Sequence, residues 1–176
     1  MEKSIKSISL NQGIVLGIVL TLVTVLIYAF SIDLFTEWWL GIILFLIILV
    51  FGIIAAVKSR KALGGFMTFK QAFTSYFITV AVGTLISTVV GIVIFAFVDP
   101  DSAQYLNEKI IEMTMQTMEN FGAPQESIDE AIAGMEGKNN FSAAMQMQSY
   151  VIRLLILSVI GLIVGVSLKR NDPNQA

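Results

Sequence analysis

The chain has neither cysteine nor histidine among its 176 residues. That double absence removes disulfides, thiolate metal sites, cysteine nucleophiles and imidazole acid–base chemistry together. It also leaves the redox compartment unreadable from cysteine usage. Charge is scarce as well. Only 14% of residues are charged and 56% are apolar, against about 25% and 45–50% in soluble domains. The mean hydropathy of +0.80 agrees. No P-loop, dinucleotide fingerprint, H-E-x-x-H, G-x-S-x-G or D-x-D-x-D-G calcium loop occurs, so the motifs that announce nucleotide, metal or acyl-transfer chemistry are missing. No cofactor is implied.

What is present is four long apolar runs. A bilayer core of about 30 Å needs roughly 20 apolar residues in a helix. Residues 7–32, 38–57 and 71–98 carry no charge, and residues 143–168 carry only Arg153. The expected fold is all-α, a four-helix transmembrane bundle with the lipid bilayer as its surroundings. The first run has Lys3 and Lys6 before it and Ala29-Phe30-Ser31 near its end, as a signal peptide would. Its apolar stretch exceeds an ordinary signal core of 7–15 residues, so an uncleaved first span is expected. The segments read as 1–32 (tail and first span), 33–57 (short outer loop and second span), 58–98 (basic loop and long third span), 99–148 (acidic segment) and 149–176 (fourth span and tail).

Basic residues set the orientation. Lys3 and Lys6 precede the first span, Lys58, Arg60, Lys61 and Lys70 surround the second connection, and Lys169-Arg170 follow the last span. The first connection holds Asp33 and Glu37 and no base. Both termini and the second loop are therefore expected in the cytoplasm, with Trp38 and Trp39 at the outer interface. The four bases of the second loop read as this topology signal, and nucleic-acid binding has no support.

Small residues recur at helical spacing: Gly13 and Gly17 in the first span, Gly83, Ser87 and Gly91 in the third, Gly161 and Gly165 in the fourth. Such faces let backbones approach closely. They suit a compact bundle or the pairing of two chains, and the residues leave both open. The third run is too long for the hydrocarbon core. Thr68-x-x-Gln71 is a capping-box pattern, which starts the helix near Thr68 with Gly64-Gly65 as the preceding hinge. No Asp, Glu, Lys, Asn or Gln lies mid-span, which argues against a pump or ion-coupled carrier but leaves a passive pore open. Arg153 lies sixteen residues before Lys169, about 24 Å along the helix and close to the outer boundary. The expectation is that it snorkels outward and pairs with Asp99 or Glu37. The alternative is contact with an anionic headgroup or substrate.

Residues 99–148 are the only sizeable non-membrane part. Nine acids against Lys109 and Lys138 leave a net charge of −7. Asp99-Pro100 reads as an N-cap followed by proline at the first helical position, opening a helix to about Phe121. Gly122 would cap it, Pro124 would open a shorter helix, and Ser142 would cap the last. This predicts an extracytoplasmic acidic helical hairpin against the bundle. Met113, Met115, Met118, Met135, Met145 and Met147 fall here. Thioethers suit Cu(I), yet Met113 and Met115 point to different sides of one helix, and methionine is a ready filler of irregular contacts.

Several features coincide: the order of spans, G-G-F-M-T-F-K-Q-A-F at 64–73, Val98-Asp99-Pro100 after the third run, the acidic insert, and Lys169-Arg170 after the last. Together they resemble an uncharacterised bacterial inner-membrane family catalogued only as a domain of unknown function. The resemblance implies a four-span bacterial inner-membrane protein and brings no activity or site residues. Three functions remain in competition. The leading one is a non-enzymatic structural or accessory component, alone or as a homo-oligomer, that contacts a protein partner through its outer hairpin or its basic inner loop. A small-solute channel or carrier formed on oligomerisation comes next, and an enzyme acting on lipid or envelope substrates through the outer acids and Arg153 is last.

Overall fold

In lipid a spanning backbone must satisfy its own hydrogen bonds, which a single chain segment does only as a helix. The computed structural model, which describes residues 2–170, places every apolar run in one. Helices α1 (Glu2–Phe30), α2 (Trp38–Ala62) and α3 (Phe69–Ile92) are followed by α4 (Pro100–Asn120), α5 (Gln125–Met135) and α6 (Ala143–Leu168). Met1 and the tail beyond residue 170 lie outside the described residues, as do the side chains of Glu2 and Lys3. Among the described residues there is no strand, only an antiparallel bridge between Met67 and Arg170. Four helices are long and apolar enough to cross a membrane, and at most a third of each apolar window is buried within the chain. The remaining surface is apolar: Leu155, Val159 and Ile163 of α6 are each more than 60% exposed. A soluble protein would not leave that stripe to water.

Helix α3 is the axis of the bundle, touching α1, α2 and α6. Glycine makes the approach close enough. A Cβ on Gly83 would lie 2.6 Å from the Leu16 side chain, and one on Gly17 would lie 2.7 Å from Ile86. Tyr76 of α3 is fully buried, its ring between Gly52 of α2 and Gly161 of α6, where added Cβ atoms would come within 2.5 and 2.7 Å. Gly165 meets Phe69, and Gly13 meets Val82. The glycine faces of the spans are thus filled from within one chain.

The expected punctuation is in place. Gln71 N–H donates to Thr68 Oγ1 (3.3 Å) and Thr68 N–H to Gln71 Oε1 (2.9 Å), completing the capping box of α3. Gly64 and Gly65 adopt φ of 80° and 95°, a region open to glycine and strained for other residues. Ser142 caps α6. One element departs from expectation. The third run does not stay α-helical to its end but widens into a π-helical turn over Val93–Val98, closed by Asp99 N–H donating to the Ile94 carbonyl (2.8 Å). Such a turn inserts an extra residue and rotates the chain beyond it. Phe95 is buried there, against Tyr28, Phe35 and Phe141.

The two ends of the bundle differ chemically. At one end the Met67 and Arg170 backbones exchange hydrogen bonds of 2.9 and 2.8 Å, joining the α2–α3 connection to the end of α6. Three buried serines tie α1, α2 and α3 together beside it: Ser75 Oγ lies 2.9 Å from Ser9 Oγ and 2.8 Å from Ser59 Oγ. At the other end, a 3-10 turn over Ile32–Thr36 meets α4.

Candidate functional site

Asp99 is positioned by α4, whose first turn leaves backbone N–H groups needing acceptors. Its carboxylate accepts from Ser102 N–H (3.0 Å), from Ser102 Oγ (2.6 Å) and from the Tyr28 hydroxyl of α1 (2.9 Å). The Ser102 hydroxyl and amide, then Tyr28, hold it below the usual carboxylate range. Asp33, in the turn after α1, accepts from Lys109 Nζ (2.5 Å) and Tyr105 Oη (2.7 Å). Lys109 and then Tyr105 hold its carboxyl down. With Ala103 and Leu106 packed on Ile94 and Phe95, these contacts fasten the first half of α4 to the end of the bundle. Beyond Lys109 the acids Glu112, Glu119, Glu126, Asp129 and Glu130 are all exposed.

The ion pair that the sequence suggests for Arg153 is not formed. Among the described residues the one ion pair is Lys109–Asp33, and Arg153 pairs with neither Asp99 nor Glu37. Asp99 is committed to capping α4. Glu37 is an exposed residue at the start of α2 that caps nothing with its side chain. Arg153 instead stands where two cavities meet, together with Ser149 one turn before it on α6 and Leu44 on α2. Helices α2 and α6 touch only briefly. The groove between them has a volume of about 480 Å³ and is lined by Gly41, Phe45, Ile48, Ile152 and Ile156. The second cavity, about 270 Å³, mixes Ser87, Thr88, Asn140 and Gln146 with the apolar side chains of Phe35, Phe95 and Phe141.

Within that second cavity the groups differ in commitment. Thr24 Oγ1 donates to the Leu20 carbonyl (2.9 Å) of its own helix, and Gln146 Nε2 donates to the Phe141 carbonyl (2.7 Å). Gln146 Oε1 is the atom closest to where a Cβ on Gly91 would sit, at 2.9 Å. Ser87, which the sequence groups with the packing glycines, lines this cavity. Thr84 does not; its hydroxyl donates to the Val80 carbonyl (2.6 Å). The arrangement offers one cation and several hydroxyl and amide groups beside an apolar slot. It can hold an anion and orient it, and it presents no nucleophile paired with a base.

Sequence reading missed the serine cluster and the fastening of α4. The signal for the second is slight: Lys109 is one of two bases in an acidic stretch, and Asp33 is one of two acids in the first connection. Their separation of 76 residues hides the pairing. The methionines are divided among α4, α5 and α6. Among the described residues no group of three His, Cys, Asp or Glu side chains could hold a metal ion.

A family model described as a protein of unknown function (DUF4199) matches residues 11–170. No curated protein and no solved structure matches the chain.

Proposed function

Given that the chain belongs to the DUF4199 family, we propose that it is a non-enzymatic accessory protein of the bacterial inner membrane. Both termini face the cytoplasm, and residues 99–148 lie outside and contact a protein partner with a basic surface. One observation carries the reading. The first half of α4 is fastened to the bundle by Asp33–Lys109 and Tyr28–Asp99, while Glu112, Glu119, Glu126, Asp129 and Glu130 beyond it are exposed. A floating acidic tail would lose ordering entropy on binding, whereas a surface already held against the membrane loses less. The alternation of basic and acidic connections supports the orientation.

The test is photocrosslinking in intact cells from positions 126 and 130 of the full-length protein. A heterologous crosslink is expected, lost when Glu112, Glu119 and Asp129 are changed to lysine, and absent from the apolar position 163. Recovery of the protein alone, crosslinked to itself or not at all, overturns the reading.

A further inference from the structure

An arginine at membrane depth is normally matched by an acid, a carbonyl or water, because a desolvated cation is expensive. Among the described residues no carboxylate lies within ion-pair distance of Arg153. Two acids at the same end of the bundle are already occupied: Asp99 accepts from Ser102 and Tyr28, and Asp33 from Lys109 and Tyr105. The hydroxyls of Ser87, Thr88 and Ser149 line the same space. Arg153 also lines a groove walled by Phe45, Ile48, Ile152 and Ile156. Phe45, Ile152 and Ile156 are themselves exposed on the apolar flank of the bundle, so the groove opens on the flank that spanning helices turn to lipid.

We propose that Arg153 and the two cavities it joins form a binding site for an anionic phospholipid, with the phosphate on the guanidinium and an acyl chain in the α2–α6 groove. Each half of the site excludes a different competitor. A free phosphate ion would satisfy Arg153, whose planar fork matches phosphate oxygens, but would gain nothing from the apolar groove. A zwitterionic lipid would fill the groove but bring its own cation to the arginine. Only a molecule with both a net anionic head and a chain uses the whole space. This site is independent of the proposed partner surface, since none of Glu112, Glu119, Glu126, Asp129 and Glu130 lines either cavity.

The experiment is native mass spectrometry of the full-length protein in mild detergent, offered phosphatidylglycerol and phosphatidylcholine of identical acyl chains. A single basic side chain near a membrane surface favours an anionic lipid roughly fivefold, and a preference of at least about that size is expected for phosphatidylglycerol. Arg153→Gln should bring the ratio to about one, and Arg153→Lys should keep part of it. Gly41→Phe puts a ring at the groove that Gly41 lines, from a position where a Cβ meets nothing within 4 Å. It should weaken retention of both lipids while Arg153 is intact, so the proposal stays testable if the arginine variants fail to fold. Soluble glycerol phosphate should not displace the bound lipid. The proposal is overturned by an absent preference in the wild type, by a preference that survives Arg153→Gln, by unchanged retention in Gly41→Phe, or by displacement with glycerol phosphate.

Discussion

Gly83 and Gly41 both sit inside spanning helices, and only Gly83 is confined. A Cβ at 83 would press on Leu16 at 2.6 Å, while one at 41 meets nothing. Overpacking a filled helix contact costs about 1–3 kcal/mol, whereas replacing an unconfined helical glycine by alanine gains roughly 0.5–1 kcal/mol. Gly83→Ala should therefore lower the melting temperature of the detergent-solubilised protein, and Gly41→Ala should hold or raise it. Equal drops would mean that helix approach at α3 is not what limits stability. The glycine stripe was legible because helical spacing alone puts Gly13 and Gly17, or Gly161 and Gly165, on one face. What occupies the opposite side was not legible. Nothing in the sequence marks Tyr76, an aromatic among many, as the side chain that Gly52 and Gly161 enclose. Ser87 shows the reverse failure, sharing the stripe's spacing but lining a cavity.

Helix boundaries were readable wherever a side chain marks them. Thr68, Asp99 and Ser142 each accept a backbone N–H at the start of a helix, and Gly122 follows α4 with φ of 72°. The π-helical turn was not, since Val93–Val98 is plain apolar sequence with no residue that marks the change. The fastening of α4 was also hidden, and its pH behaviour can be worked out. Lys109, then Tyr105, depresses the Asp33 pKa from 3.8. The contact therefore contributes fully above that value and is lost as pH falls through the lower folded-state pKa. Asp33 raises the Lys109 pKa from 10.5, so its contribution is complete below that value and disappears as pH rises past the higher folded-state one. Amide exchange of residues 101–110, corrected for intrinsic rates, should be flat between about pH 5 and 9 and accelerate below about pH 4. In Asp33→Asn the same amides should exchange faster throughout the plateau. Wild-type protection that is unchanged in Asp33→Asn would show that the aromatic packing alone holds α4.

At the scale of the molecule, run length and charge alternation are enough to lay out four spans, because each is a property of one segment and its flanks. Side-to-side order is not, because α1, α2, α3 and α6 are apolar nearly all round and a glycine stripe marks a packing face without naming the helix that packs on it. Thus α3 as the axis, and the gap between α2 and α6 that exposes Arg153 to a groove, had to come from packing. The layout makes a sharp prediction about sidedness. The chain has no cysteine, so an introduced thiol is the only one present. Ser127→Cys on α5 and Lys61→Cys near the end of α2 both place it at an exposed position. A membrane-impermeant maleimide applied to intact cells should label position 127 and spare position 61, and both should react after permeabilisation. The Met67–Arg170 pairing joins the α2–α3 connection to the end of α6, and Asp33–Lys109 joins the turn after α1 to α4, at the opposite ends of α1, α2 and α3. With those helices spanning, the two thiols must differ whichever way the protein is inserted. A reversed pattern would move the acidic surface into the cytoplasm and end the proposed outer partner while leaving the bundle intact. Equal labelling from outside would contradict the spans themselves.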